Sequence, residues 1–191
     1  MGKAFQHFKT ITRHRHEVIR NCRKAGIFRQ GLRHDLSKYS PTEFLQGAKY
    51  WQGTRSPNDR EREVKGYSEA WMHHKGRNKH HFEYWSDYSP VDKIVRPVEM
   101  PLRYVVEMFC DRVAASKVYM GENYTDRSPL EYFERGKNRR VARIHEKTSD
   151  LLESMLTILA EEGEEAAFRY TRKLLKEEKQ RMRNEKLGIR N

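Results

Sequence analysis

The sequence predicts an all-α fold. Apolar residues recur at helical spacing through most of the chain, strand signals are few, and prolines and glycines fall where helices would begin and end. The first helix is expected from about Ala4 to Lys24, with Phe5, Phe8, Ile11, Val18, Ile19 and Cys22 on one broad face and Gly26 as its stop. Ser40-Pro41-Thr42-Glu43 reads as a helix start, with Ser40 as N-cap, Pro41 in the first helical position and Glu43 as the reciprocal capping-box partner. Gly53 to Arg60, around Pro57, reads as a polar loop.

A further helix carries Tyr67, Ala70 and Trp71 and delivers His73-His74 near its end. Lys75 to Lys79 reads as a basic turn, with Asn78 orienting it, before His80-His81 and the aromatic group Phe82, Tyr84 and Trp85. Pro90 and Pro97 mark an irregular connection, and Pro101 opens a helix reaching about Met120. That helix is apolar nearly all round and therefore buried, yet it contains Asp111. Ser128-Pro129-Leu130-Glu131 repeats the proline-containing capping box and starts a short helix. A longer helix, roughly Asn138 to Glu162, has Val141, Ile144, Leu151, Leu152, Met155, Ile158 and Leu159 as its buried stripe, with His145 near that side as a core histidine. Gly163 breaks it, and a charged helix follows towards Lys186. The domain reading is a helical domain over residues 1–162 and a charged C-terminal helix over 163–191, packed on it or extending from it.

Composition restricts the class. The 191 residues suffice for one substantial domain. Mean hydropathy is −1.03. Although 35% of residues are charged, 36% are hydrophobic and 11% aromatic in periodic runs, which argues for a folded core beneath a charged surface and against disorder. Cys22 and Cys110 fit neither a disulfide framework nor a thiolate metal site. With no signal peptide or long apolar span visible, a cytoplasmic protein without a membrane partner is the expectation. The net charge of +12 is spread along the chain and suits a small phosphorylated substrate as well as nucleic acid. No base-reading motif accompanies it, so nucleic acid is the less favoured partner.

The most informative residues are His34-Asp35, an imidazole beside a carboxylate. Further ligand-type side chains lie upstream at His14 and His16 and downstream at His73-His74, His80-His81 and Asp111. Histidine and carboxylate ligands without cysteine suit zinc, iron, manganese or mixed sites. Asp111, as a buried carboxylate, needs a compensating charge, and a metal is favoured over an arginine. His14 and His16 point about 200° apart on a helix, and periodicity does not choose between them.

The order of helical His, then His-Asp, then a distant Asp resembles the HD superfamily of metal-dependent phosphohydrolases, with His14, His34, Asp35 and Asp111 at the matching positions. Within it the chain is especially similar to an uncharacterised bacterial and phage family, through Thr12-Arg13-His14, His34 to Pro41, Ala70 to Trp85 and Glu107 to Ala115. The resemblance implies an HD-like helical bundle with additional C-terminal helices, and it selects His14 over His16. It also implies that the later histidines hold a second ion, as in expanded HD sites, with His74 and His81 first and His73 and His80 next. The one or two divalent ions would be iron, manganese, zinc, nickel or cobalt.

In some expanded sites a lysine three residues after the Asp lies near the metals and substrate phosphate, a place taken here by Lys38. Arg77 and Lys79 are further candidates for phosphate contact, and Trp71, Phe82, Tyr84 and Trp85 for the pocket wall. The expected activity is hydrolysis of a nucleotide or other small phosphoester, with Asp35 and Lys38 in the catalytic machinery. The alternatives are a di-iron oxygenase on the same scaffold, or a basic nucleic-acid-binding protein with a structural metal.

Overall fold

The computed structural model describes residues 2–138 and 144–188. The fold is all-α apart from one small hairpin. Helix α1 (Lys3–Ala25) lies against α6 (Leu102–Met120), both pack on α8 (Glu146–Lys186), and α7 (Ser128–Asn138) packs on α6 and α8. Their shared core contains Val18, Cys22, Val105, Phe109, Val113, Phe133, Leu152, Leu156 and Leu159. Fully burying side chains of this kind contributes about 1.5–3 kcal/mol each. The short α2 (Phe28–Gly31), α3 (Pro41–Tyr50), α4 (Pro57–Lys65) and α5 (Glu69–Lys75) form a second layer over the other side of α1, joined through α1–α3 and α3–α5 contacts. No helix among the described residues is long and apolar enough to cross a membrane.

The buried stripe of α1 is not the one that its aromatic residues suggest. His7, Ile11, His14, Val18, Cys22 and Ala25 are buried, whereas Phe5 and Phe8 are 51% and 45% exposed. The stripe advances by three and four residues, the spacing of a single helix face, and it includes two histidines. Cys22 and Cys110 also meet across α1 and α6, as free thiols fully buried in the core.

Several boundaries differ from the sequence reading. Ser40 and Pro41 do start α3, but the Ser40 side chain makes no capping hydrogen bond and Glu43 does not reach back to it. The expected loop over Gly53 to Arg60 is shorter, because Pro57 opens α4 and the Ser56 hydroxyl accepts from Asn58 N–H. Tyr67 lies between α4 and α5. The connection around Pro90 and Pro97 is an antiparallel hairpin, β1 (Ser86–Ser89) with β2 (Ile94–Pro97), paired from Ser86↔Pro97 to Ser89↔Ile94. Strands this short and exposed carry almost no alternating pattern to read.

The α7 start shows Ser128 Oγ accepting from Thr125 N–H. The long helix begins at Glu146, so His145 is its N-cap and not a residue of its inner face; Val141 lies outside the described residues. Gly163, at φ 84° and ψ 176°, kinks α8 in a conformation open to glycine alone, and the helix continues to Lys186. Beyond the kink Phe168 returns to the core, edge-on to Phe109 at 5.6 Å between ring centroids.

Candidate metal centre

The centre is assembled on the α1–α6 seam by a segment that has little regular structure. Gly31 lets α2 approach α1 so closely that a Cβ there would collide with the Cys22 side chain. The following chain is clamped by Arg15, whose guanidinium donates to the carbonyls of Leu32 at 2.6 Å and His34 at 3.3 Å. Asp35 adopts φ 53°, a left-handed conformation uncommon outside glycine, before the 3-10 turn Leu36–Tyr39. His34 and Asp35 end up 1% exposed.

Two groups of ligand atoms meet at Asp35. The first contains His14, His34, Asp35 and Asp111, and the second Asp35, His74, His80 and His81. In the first, His14 Nε2 is 2.9 Å from Asp111 Oδ1 and 3.7 Å from Asp35 Oδ2, while His34 Nε2 is 3.2 Å from Asp35 Oδ2 and 3.5 Å from Asp111 Oδ1. In the second, Asp35 Oδ1 is 3.2 Å from His74 Nε2 and 3.5 Å from His80 Nε2, and His74 Nε2 is 2.9 Å from His81 Nε2. Ligands bound about 2.0–2.2 Å from one ion lie roughly 2.9–3.5 Å from one another in tetrahedral or octahedral arrangements. The observed separations fit that spacing, apart from the slightly longer His14–Asp35 edge. Both carboxylate oxygens of Asp35 and the Nε2 atoms of His14, His34 and His80 are buried without hydrogen-bond geometry to any neighbour. Buried polar atoms that converge without bonding one another are the arrangement expected around a shared cation.

Behind the ligands stand two carboxylates. Glu107 on α6 accepts from His34 Nδ1 at 3.0 Å, lies 3.4 Å from His80 Nδ1, and accepts from the Gln30 side-chain amide. Glu43 on α3 accepts from His73 Nδ1 and His74 Nδ1, each at 2.7 Å. A carboxylate on the outer nitrogen fixes the imidazole tautomer and turns Nε2 towards an ion. Asn78 donates to the His74 carbonyl at 2.9 Å and to Ser37 Oγ at 2.8 Å, which orients the basic turn.

The electrostatics follow from this packing. Burial opposes charge on Asp35, but the neighbouring cations of His34, Lys38 and His74 outweigh it and hold the carboxyl well below its usual range. For Asp111, the neighbouring His14 and His34 imidazoles overcome burial in the same direction. Burial likewise opposes protonation of His34, yet Asp35, Asp111 and Glu107 together raise its pKa well above the ordinary value. Glu107 is held at about 2 because its bonds to His34 and His80 outweigh burial. Burial lowers both His80 and His81, the latter well below the usual histidine value with His80 and His74 adding to the effect, so both favour the neutral form that binds metals.

Residues 3–158 match a family of unknown function, DUF5662. The chain belongs to that family. The stretch matched to DUF5662 takes in both ligand groups, Glu43 and Glu107, and ends within α8 before the Gly163 kink. No curated protein and no solved structure matches the chain.

Within this DUF5662 chain, the residues selected from the sequence divide clearly. His14 is buried at the centre and His16 is exposed. His74, His80 and His81 join the second group, while His73 faces Glu43 instead. Lys38 Nζ is 2.6 Å from Asp35 Oδ2. Arg77 donates back to the His73 carbonyl at 3.3 Å, and Lys79 lies over the Tyr84 ring at 5.6 Å. Trp71 walls the second group, edge-on to His81 at 4.7 Å, while Phe82 and Trp85 pack against the hydrophobic core.

From the sequence, Glu43 has a capping-box role first and a catalytic role second, and Glu107 has none; Glu107 lies four residues before Asp111, a spacing that places both on one face of α6.

Proposed function

We propose that this member of DUF5662 is a metal-dependent phosphohydrolase acting on a nucleotide or other small phosphoester, through a two-ion His/Asp centre of HD type. One observation carries the reading: Asp35 presents Oδ2 to one ligand group and Oδ1 to the other. A carboxylate shared in this way suits two neighbouring divalent cations, and the nitrogen and oxygen donors suit iron, manganese, zinc, nickel or cobalt. Bound ions would supply Lewis acidity towards phosphate oxygens and make water acidic enough to attack near neutral pH.

The protein's own groups then have separate tasks. His14, His34 and Asp111 hold one side and His74, His80 and His81 the other, while Glu107 and Glu43 keep their imidazoles turned inward. Lys38 remains charged at neutral pH, because Asp35 and Asp111 outweigh the effect of its partial burial. With Asp35 engaged as a shared ligand, the Lys38 ammonium would be available to a phosphate oxygen. Trp71 shields the His81 side from water.

Elemental analysis of the protein purified without added metal, together with a broad phosphoester panel, tests this. The expected result is bound transition metal with phosphoester cleavage, both reduced in His34→Ala. Absence of cleavage by the metal-loaded protein, with unchanged metal content in His34→Ala, would overturn the reading. Stoichiometric coupled iron with oxygen consumption would replace it with the oxygenase.

A further inference from the structure

Beyond the Gly163 kink, α8 sorts its charges by face. Arg172, Lys176, Lys179, Arg183 and Lys186 advance in steps of four and three residues, so at 3.6 residues per turn they share an arc of about 80°. At 1.5 Å per residue the row is about 21 Å long. All five side chains are exposed. The carboxylates of the same stretch, Glu177, Glu178 and Glu185, lie more than about 100° from the middle of the row. The cations that approach them are off the row: Lys173 Nζ is 3.9 Å from Glu177 Oε1, and Arg181 Nε is 3.9 Å from Glu185 Oε1. Glu165, on the same face nearer the kink, is held 3.5 Å from Arg169. Among the described residues no carboxylate pairs with a cation of the row. The opposite side of this helix faces protein. Leu174, Glu178 and Arg181 line a groove shared with Leu102 and Leu151, and Leu174 and Leu175 pack against the hydrophobic core. Arg172 fixes the near end of the row by donating to the Lys24 carbonyl, at the end of α1, at 2.5 Å.

We propose that this face of α8 binds the phosphate backbone of duplex DNA. Like charges three and four residues apart on a helix repel one another, and a linear polyanion laid along the row relieves that repulsion. The row has no aromatic side chain on which an unpaired base could stack, so it does not suit a single strand. It has no asparagine or glutamine to read base edges, so its contact is with phosphate and independent of sequence. The major groove of B-form DNA admits a helix, whereas that of duplex RNA is too narrow. A helix lying in a bilayer surface needs a broad apolar face. Here the leucines are turned to the core, and only Met182 and Leu187 are exposed large apolar residues in this stretch. The surface is separate from the ligand groups and does not rest on the hydrolase reading.

Fluorescence anisotropy of a labelled short DNA duplex, titrated with the full chain at several salt concentrations, tests the proposal. Four or five phosphate contacts give an expected slope of about −3.6 to −4.5 in log affinity against log salt, or roughly 100-fold weakening from about 50 to 200 mM. Replacing Lys176, Lys179 and Arg183 together by glutamine is expected to flatten that slope by about 2.7. Lys3, Arg29 and Arg135 are exposed at three separate places, and replacing them together by glutamine removes the same charge. That control is expected to leave the slope nearly unchanged. Equal flattening in the two variants would show that net charge and not the row binds DNA, which overturns the proposal. A wild-type slope flatter than about −2 does the same. So does tighter binding to an RNA duplex of the same sequence, or binding to anionic lipid vesicles in place of DNA.

Discussion

Glu43 Oε2 lies 2.7 Å from His74 Nδ1, and its other oxygen lies the same distance from His73 Nδ1. A residue at the third position of a helix has thus been taken from a possible capping role and placed behind a candidate metal ligand. The hydrogen bonds from His74 and His73 overcome burial and lower the Glu43 pKa, so the carboxylate is ionised at neutral pH.

Glu43→Gln keeps the shape of this side chain but loses its charge. The affinity of the His74–His80–His81 group for its ion is expected to fall about 10–100-fold, the usual cost of losing such an orienting partner. The His14–His34–Asp111 group should retain its affinity. Stepwise metal titration of the metal-free protein distinguishes the two, and equal weakening of both steps would contradict the assignment.

Asp35 is the sole residue common to both ligand groups. Asp35→Ala should therefore deplete both ions, whereas His14→Ala should deplete chiefly the first and His81→Ala chiefly the second. Metal-to-protein ratios after gel filtration measure this. A variant series in which every substitution removes the same amount of metal would exclude two separable sites.

His7 gives a pH signature independent of the metal ligands. It is 6% exposed, and burial, aided by the Lys38 charge, lowers its pKa from 6.5 to about 4. The folded state therefore binds fewer protons than the unfolded state between those values, and stability rises with pH across the interval. Its contribution is fully present above pH 6.5 and is lost as pH falls through about 4. In His7→Gln, the plot of urea midpoint against pH should be flatter over this window; an unchanged slope would show that other groups set it.

Gly47 is the reason His7 fits. The His7 ring occupies the space where a Cβ at residue 47 would stand, with Phe44 5.4 Å away on the same helix. Gly47→Ala is expected to destabilise by about 1–3 kcal/mol through overpacking, despite the better helix propensity of alanine. Adding His7→Ala should recover much of that loss, because it vacates the space. Additive losses in the double-mutant cycle would contradict the contact.

Much of the helical framework was legible before the structure. Gly26 ends α1, Pro41 opens α3, Pro101 precedes α6 and Gly163 marks the kink, since each acts through local backbone conformation. The hairpin was not legible, because Pro90 and Pro97 suggested interruption while its pairing depends on contacts between two very short strands. Phe5 and Phe8 misled for a related reason. Apolar character sets a preference for burial, but the neighbours available to α1 decide which stripe is covered.

By itself the sequence determined the chemical types: histidines and carboxylates without a cysteine framework, a lysine beside the His-Asp pair, and helices to carry them. Periodicity left His14 and His16 open, and only the resemblance chose between them; the tertiary structure buried His14, placed His73 against Glu43, and set Glu107 between His34 and His80. Those choices depend on which faces meet across 30 residues from Glu43 to His73 and 73 from His34 to Glu107. Local propensity has no access to such distances. Packing settles them, because a buried carboxylate or imidazole is stable only where another element supplies its partner.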